Sequence, residues 1–339
     1  MPRTCHLHIG TTKTGSTSIQ RSFCDYDDGR TRYLRLRIPN HSRVLAALCA
    51  PGDAEALRQA KLTPAKADHW RAAMQDQIAE FPDHDLIISG EGLSMWADPE
   101  MIARLAADLH AFEAVRVLAY VRTPDRWIAS SFQQQLRNAA LPYDIVALFP
   151  LFRDWFAPWE AAFGPDNVTL VPFDPAGFPT GDVVADFAAR CGLDMPATPA
   201  PREKPALPAE AVAVLYAHRA ARGVPQLADR TDALVNRALV EGVRALGNTP
   251  FRVDPAALAP VMARHADQMA WLAARAGAFP PVSEPVSPVF GTARDLLTFA
   301  EAQRGALAGW LRDIGATGAL PDDVVGMVDA AYAHLRATL

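Results

Sequence analysis

The first half of the chain alternates short apolar runs with longer amphipathic stretches. The apolar runs are Cys5–Ile9, Asp85–Ser89, Arg116–Val121 and Val168–Pro172. The stretches with helical periodicity are Ser16–Phe23, Ala65–Glu80, Pro99–Ala111, Asp125–Arg137 and Thr180–Cys191. Short buried strands that alternate with helices are typical of a parallel sheet covered by helices on both faces. The sequence therefore predicts an α/β fold, a doubly wound parallel sheet flanked by helices.

The second half has a different pattern, because helical periodicity continues there nearly without interruption. A proline-rich segment, Met195–Pro208, reads as a linker before it. The predicted helices are Pro208–Arg222, Ala228–Leu246, Pro255–Ala278, Ala293–Gly315 and Pro321–Ala337. The length of 339 residues suits two domains or one α/β domain with an extension. We expect an α/β core over residues 1–195 and a mainly helical extension over residues 196–339, packed on the core.

Charge and cysteine content exclude several classes of protein. The 33 Lys and Arg against 38 Asp and Glu argue against broad binding to nucleic acid or to an anionic membrane. The four scattered cysteines have neither a disulfide-framework pattern nor zinc-ligand spacing. The chain has no signal-peptide pattern, and no apolar run approaches the ~20 residues of a membrane helix. We expect a cytoplasmic protein with no membrane span, no nucleic-acid partner and no metal.

The most informative segment lies between the first apolar run and the first helix. A loop bounded by Gly10 and Gly15 holds one lysine, and a hydroxyl-rich helix start follows it. Backbone N–H groups of such a loop and the positive end of the helix bind phosphate esters. The loop is P-loop-like, but Ser16 stands where a nucleoside-triphosphate loop requires lysine. The alternative interpretation is an ordinary turn whose hydroxyls only cap the helix.

This loop resembles that of sulfotransferases that use 3′-phosphoadenosine 5′-phosphosulfate (PAPS) as the sulfuryl donor. The matching residues are Lys13-Thr14-Gly15-Ser16-Thr17. The second signature of that family is an arginine that ends a later strand, with a serine eight positions on, and Arg122 and Ser130 match it. The resemblance covers about Cys5–Leu193 and is to bacterial, carbohydrate-type members. An arginine at a strand end also suits a phosphate on physical grounds, because its planar fork can take two phosphate oxygens.

The resemblance implies the roles of the site residues. The donor would bind through the loop and helix start, with Arg122 and Ser130 holding its 3′-phosphate. The loop residues concerned are Thr12, Lys13, Thr14, Gly15, Ser16, Thr17 and Ser18. Lys13 would stabilise the departing phosphate, with no metal required. The acceptor would be a hydroxyl group on a carbohydrate or a small metabolite.

The general base has two candidates. Glu91 follows an apolar run between two glycines, at the place where the related enzymes often carry a glutamate base. His41, in the loop segment Asn40-His41-Ser42, is the alternative. The basic segment Arg30–Arg37 could hold an anionic acceptor, although an edge strand with a solvated charged face is favoured. Trp96 gives no signal in either direction.

Two other functions remain open at this point. One is a small-molecule kinase that uses ATP, which the missing lysine at Ser16 opposes. The other is a non-catalytic, sulfotransferase-like binding protein. The helical half could close over an acceptor or form the interface of a homo-oligomer.

Overall fold

A computed structural model describes residues 3–50, 52–197, 206–223, 230–277, 279, 288–316 and 318–339. Its sheet has five strands, which are Thr4–Gly10 (β1), Thr31–Tyr33 (β2), Asp85–Ser89 (β3), Ala114–Val121 (β4) and Val168–Pro172 (β5). Their order is β2-β3-β1-β4-β5, and every neighbouring pair is parallel. The predicted parallel sheet is therefore confirmed. β2, a strand of three residues, lies within Arg30–Arg37, and the edge strand that the sequence favours for that segment is confirmed.

The helices follow the strands in chain order. They are Ser16–Phe23 (α1), Ser42–Cys49 (α2), Ala54–Ala60 (α3), Pro64–Glu80 (α4), Leu93–Trp96 (α5), Pro99–Asp108 (α6), Pro124–Leu136 (α7), Phe152–Phe163 (α8), Val183–Cys191 (α9), Ala209–Arg222 (α10), Arg230–Val243 (α11), Pro255–Arg264 (α12), Ala266–Ala276 (α13), Ala293–Ala302 (α14), Arg304–Asp313 (α15) and Val324–Thr338 (α16). Short 3₁₀ turns supplement them. None of the helices, within the residues described, is long and apolar enough to cross a membrane.

The sheet is covered on both faces because alternate strand residues point in opposite directions. One face carries Cys5, Leu7 and Ile9 of β1, which pack with buried residues of α2, α4, α6 and α8. The other face carries Leu118 and Tyr120 of β4, which pack with residues of α1 and α9. The side chains of both clusters are buried, so helices cover the sheet on both faces. The predicted doubly wound arrangement is therefore confirmed.

The chain divides into two compact units. The first comprises Met1–Arg122, Leu151–Lys204 and Asp267–Pro281, and it contains the sheet. The second comprises Thr123–Pro150, Pro205–Ala266 and Val282–Leu339. Each unit combines segments that are distant in the sequence, so this division does not test a single boundary along the chain. The boundary expected at residue 195 stays a prediction. The linker predicted at Met195–Pro208 lies mostly outside the described residues.

The second unit is helical throughout its described part. Its central helix is α10, which is buried on every side from Ala209 to Arg219 and packs against α7, α11, α14 and α16. The predicted helical extension is confirmed, with two breaks that the periodicity did not indicate. The helix expected over Ala293–Gly315 is interrupted at Gln303, and that expected over Pro255–Ala278 is interrupted at His265. Residues 228, 229 and 278, at the ends of predicted helices, lie outside the described residues.

Candidate active site

The site residues predicted in the first unit lie at the carboxyl ends of the strands. β1 is the central strand, and it pairs with β3 on one side and β4 on the other. The carboxyl ends of these parallel strands therefore point to the same edge, where open α/β sheets bind their ligands. The Gly10–Ser16 loop follows β1, Glu91 follows β3, and Arg122 follows β4.

Hydrogen bonds within the Gly10–Ser16 loop fix its shape. The Thr11 N–H and hydroxyl both donate to the carbonyl oxygen of Tyr120 in β4, at 2.9 Å and 3.0 Å. The hydroxyls of Thr14 and Ser16 donate to the carbonyl oxygen of Thr11, at 2.6 Å and 3.0 Å. Because these two hydroxyls serve the loop itself, its capacity to bind an anion resides in backbone N–H groups, in Lys13 and in the start of α1.

The loop turns sharply into α1. Lys13 has a φ of 66°, and Gly15 has a φ of 77°, so both lie in the left-handed region. A Cβ on Gly15 would stand 2.6 Å from Cγ1 of Val183, at the start of α9. Glycine is therefore required here both by conformation and by close packing. The first turn of α1 contains no acidic residue that would repel an anion.

Arg122 is held at the same edge by an aromatic ring. Its Cζ lies 4.6 Å from the centroid of the Phe173 ring, a cation–π contact. The same ring faces the loop, because a Cβ placed on Gly15 would stand 3.7 Å from Cε2 of Phe173. Phe173 thus lies between the two predicted anion-binding elements, a role that its sequence position after β5 did not suggest. Ser130 lies half-buried in α7, in the second unit.

Glu91 is held by a residue distant in the sequence. Asn40 donates from Nδ2 to Oε1 of Glu91 at 3.2 Å. Asn40 is fixed in turn because its Oδ1 accepts from the Ser42 N–H at 3.0 Å and from the Ser42 hydroxyl at 2.7 Å. The Ser42 oxygen also accepts from the Gly92 N–H at 2.9 Å. Glu91 also adjoins the loop, because a Cβ on Gly10 would collide with the Glu91 carbonyl oxygen.

His41 is fully buried and has a different environment from Glu91. The backbone N–H of His41 donates to the Ser89 carbonyl oxygen at 2.8 Å, and the ring Nδ1 of His41 accepts from the backbone N–H of Ser89 at 3.2 Å. Burial lowers the pKa of His41 to about 3. His8 packs between the rings of Tyr120 and Phe187, and burial lowers its pKa to about 4. The two imidazoles are therefore neutral near pH 7. His8 therefore packs in the sheet's interior, and its Nδ1 lies 2.8 Å from the Ser89 hydroxyl.

Comparisons with known proteins gave one structural likeness. No family model matches the chain, and no curated protein matches it. A crystal structure of a sulfotransferase from Alicyclobacillus acidocaldarius is similar to this chain with a TM-score of 0.38 and 14% sequence identity. The likeness covers 71% of this chain and 97% of that one. In the described parts of the chain, no three His, Cys, Asp or Glu side chains are grouped to hold a metal ion.

Proposed function

We propose that the chain is a sulfotransferase that moves the sulfuryl group of PAPS to a hydroxyl of a carbohydrate or a small metabolite. The observation that carries the proposal is the convergence of three elements at one sheet edge. The lysine-bearing loop, Arg122 and Glu91 follow three adjacent parallel strands. An anion-binding loop, a guanidinium and a carboxylate base are the groups that this transfer needs.

The donor site would be formed by the loop and by Arg122. The backbone N–H groups of residues 12–17 would bind the 5′-phosphosulfate, since the hydroxyls of Thr14 and Ser16 are bonded within the loop and the Ser18 N–H donates to the Gly15 carbonyl oxygen at 2.9 Å. Arg122, supported by Phe173, would pair with the 3′-phosphate, and the role of Ser130 stays a sequence prediction. When bound, PAPS supplies an activated sulfuryl group. Lys13 would neutralise the charge that develops on the phosphate oxygen as the bond to sulfur breaks.

Glu91 is the base that the geometry favours. Its carboxylate would take the proton of the acceptor hydroxyl as the oxygen attacks sulfur. Asn40 would orient that carboxylate through the bond to Oε1. His41 is less suited to the role, because the Ser89 N–H occupies its Nδ1 and burial lowers its pKa to about 3. We assign His41 to fixing the segment that carries Asn40.

The test is transfer of radiolabelled sulfate from PAPS to a panel of saccharides and hydroxylated small molecules. The wild-type protein should label at least one acceptor and release 3′,5′-adenosine bisphosphate in equal amount. Lys13→Ala should abolish the labelling. Transfer of the γ-phosphoryl group of Mg²⁺-ATP to acceptors of the same panel, with no transfer from PAPS, would contradict the proposal and favour a kinase.

A further inference from the structure

A cavity of about 340 Å³ is lined by residues of α2, α3, α5 and α6, among them Trp96, whose ring contacts Gly92, the residue after Glu91. One face of α2 forms a wall of it, through Arg43, Ala46 and Ala50. The rest of the lining comes from the start of α3 and from the segment that joins α5 to α6. Its polar and aromatic members are Asp53, Glu55, Gln59, Trp96 and Asp98. The volume is within the range of small-molecule sites.

Two lining residues connect this cavity to Glu91. Arg43 directly follows Ser42, whose hydroxyl oxygen accepts from the Gly92 N–H. The Trp96 ring packs on Gly92 so closely that a Cβ there would collide with it. Trp96 therefore contacts the residue that follows Glu91, and Arg43 follows the residue that bonds to Gly92.

The acidic residues of the lining are already engaged. Asp53 caps α3, accepting from the N–H groups of Glu55 and Ala56 at 2.8 Å and 3.1 Å. Asp98 caps α6, accepting from the Met101 N–H at 2.7 Å. Glu55 forms an ion pair with Arg58 at 2.5 Å. Each of these three carboxylates therefore already has a hydrogen-bond or ion-pair partner.

Arg43 and Trp96 are the lining residues that still present a polar group or a ring surface to a ligand. Within the described parts of the chain, the Arg43 guanidinium makes no hydrogen bond or ion pair. Trp96 is 48% exposed, which is unusual for so large an apolar side chain. An arginine fork and an open indole face select a ligand that has both an anionic group and a flat ring.

We propose that this cavity is the acceptor site and that it takes a hydroxylated ring bearing a carboxylate. The assignment rests on the proposed function. The ring would stack on the Trp96 indole, the carboxylate would pair with Arg43, and a ring hydroxyl would reach Glu91. A sugar acid and a hydroxylated aryl acid share this chemistry, and the test below separates them.

A second cavity provides the matched control. It has a volume of about 250 Å³ and lies along the edge strand β2, lined by Arg3, Arg32 and Arg35 among others. Arg3 donates to the carbonyl oxygens of Ile78, Phe81 and His84. Arg32 is paired with Asp27 at 3.0 Å and lies over the Phe81 ring. Arg35 is exposed, so Arg35→Gln removes the same charge as Arg43→Gln without touching the first cavity.

The experiment is calorimetric titration of the protein, saturated with 3′,5′-adenosine bisphosphate, with three probes. The probes are a methyl glucuronide, 4-hydroxybenzoate and a methyl glucoside. One of the two acids should bind at least about ten-fold more tightly than the neutral glucoside. Arg43→Gln should remove that preference, and Arg35→Gln should leave it unchanged. Trp96→Phe should retain most of the affinity, and Trp96→Ala should lose about ten-fold.

The outcomes separate this assignment from the proposed function. Binding of the bisphosphate with no effect of Arg43→Gln on acid binding would overturn the cavity assignment alone. Loss of acid binding in Arg35→Gln would move the acceptor to the cavity along β2. Absence of binding by both acids to the wild type would overturn the ligand class. Failure to bind the bisphosphate would overturn the proposed function, whereas the acid titrations without nucleotide would still test Arg43 and Trp96.

Discussion

The loop after β1 and the turn after β3 lie side by side at the carboxyl ends of the strands, but they differ in which residues hold them in place. The loop is held in part by its own residues, since Thr14 and Ser16 bond back to the Thr11 carbonyl oxygen, and in part by β4, where the Tyr120 carbonyl oxygen accepts from Thr11. The turn is held from a distance, because the contact from Asn40 to Glu91 joins residues 51 positions apart. The internal hydrogen bonds of the loop are therefore local in sequence, and the contact that holds Glu91 is not.

This difference separates what each element contributes. None of the hydrogen bonds described for the loop comes from the Asn40–Ser42 segment, so a change in that segment should leave the loop's shape intact. The position of Glu91, in contrast, depends on the Asn40–Ser42 segment, which also begins α2 and leads into the cavity wall. Changes in that segment should alter acceptor use and leave donor binding intact. The predictions that follow test this separation.

The largest effect is expected at Lys13. Lys13→Ala should lower the transfer rate by about 10³-fold, because it removes the charge that stabilises the departing phosphate. Rates would be measured with radiolabelled PAPS at saturating concentration. Lys61→Ala is the matched control, since Lys61 is also a lysine with positive φ, 54°, at the end of α3. Transfer by Lys13→Ala at a rate close to that of Lys61→Ala would refute the role of Lys13.

The next effect is expected at Glu91. Glu91→Gln should lower the transfer rate by about 10²-fold, because the amide cannot take the acceptor proton. Affinity for 3′,5′-adenosine bisphosphate should stay unchanged, as the separation of the two elements requires. Glu113→Gln, at an exposed position just before β4, is the control for loss of one carboxylate. A Glu91→Gln enzyme with normal turnover would remove the base assignment.

Asn40 should act as a positioning residue with a smaller effect. Asn40→Ala removes the hydrogen bond to Glu91 and should lower the transfer rate by about ten-fold. The pH–rate profile distinguishes a positioning role from a purely structural role, because a purely structural role would leave the profile unchanged. Loss of the Asn40 donor removes a stabiliser of the carboxylate, so the acidic limb should shift to higher pH. An unshifted limb with a lowered melting temperature would indicate a structural role alone.

The buried imidazoles predict a pH dependence of stability. Burial lowers the pKa of His41 to about 3 and that of His8 to about 4, from 6.5. Below pH 6.5 the unfolded chain binds protons that the folded chain does not, so the free energy of unfolding falls as the pH falls. Each imidazole should contribute about 1 kcal/mol between pH 6 and pH 5. Urea unfolding at pH 7, 6 and 5 measures this slope, and a flat dependence would contradict it.

The sheet was largely predictable from the sequence because buried parallel strands are continuous apolar runs. The bounds of β3, β5 and α1 agree with the predictions, and β2 lies within the segment Arg30–Arg37 for which an edge strand was favoured, although only three of its residues pair. The loop and Arg122 were predictable as site candidates because their signals are local. The Asn40–Glu91 bond and the exposure of Trp96 were not, since both arise from tertiary contacts that no local pattern records.

The most direct test of the account is calorimetric binding of 3′,5′-adenosine bisphosphate, compared with 5′-AMP and Mg²⁺-ATP. The account predicts selective binding of the bisphosphate by the wild type, weakened at least about ten-fold in Arg122→Ala through loss of the guanidinium. Arg116→Ala, an exposed arginine earlier on β4, should bind as the wild type does. No binding of the bisphosphate, or a preference for Mg²⁺-ATP, would contradict the account.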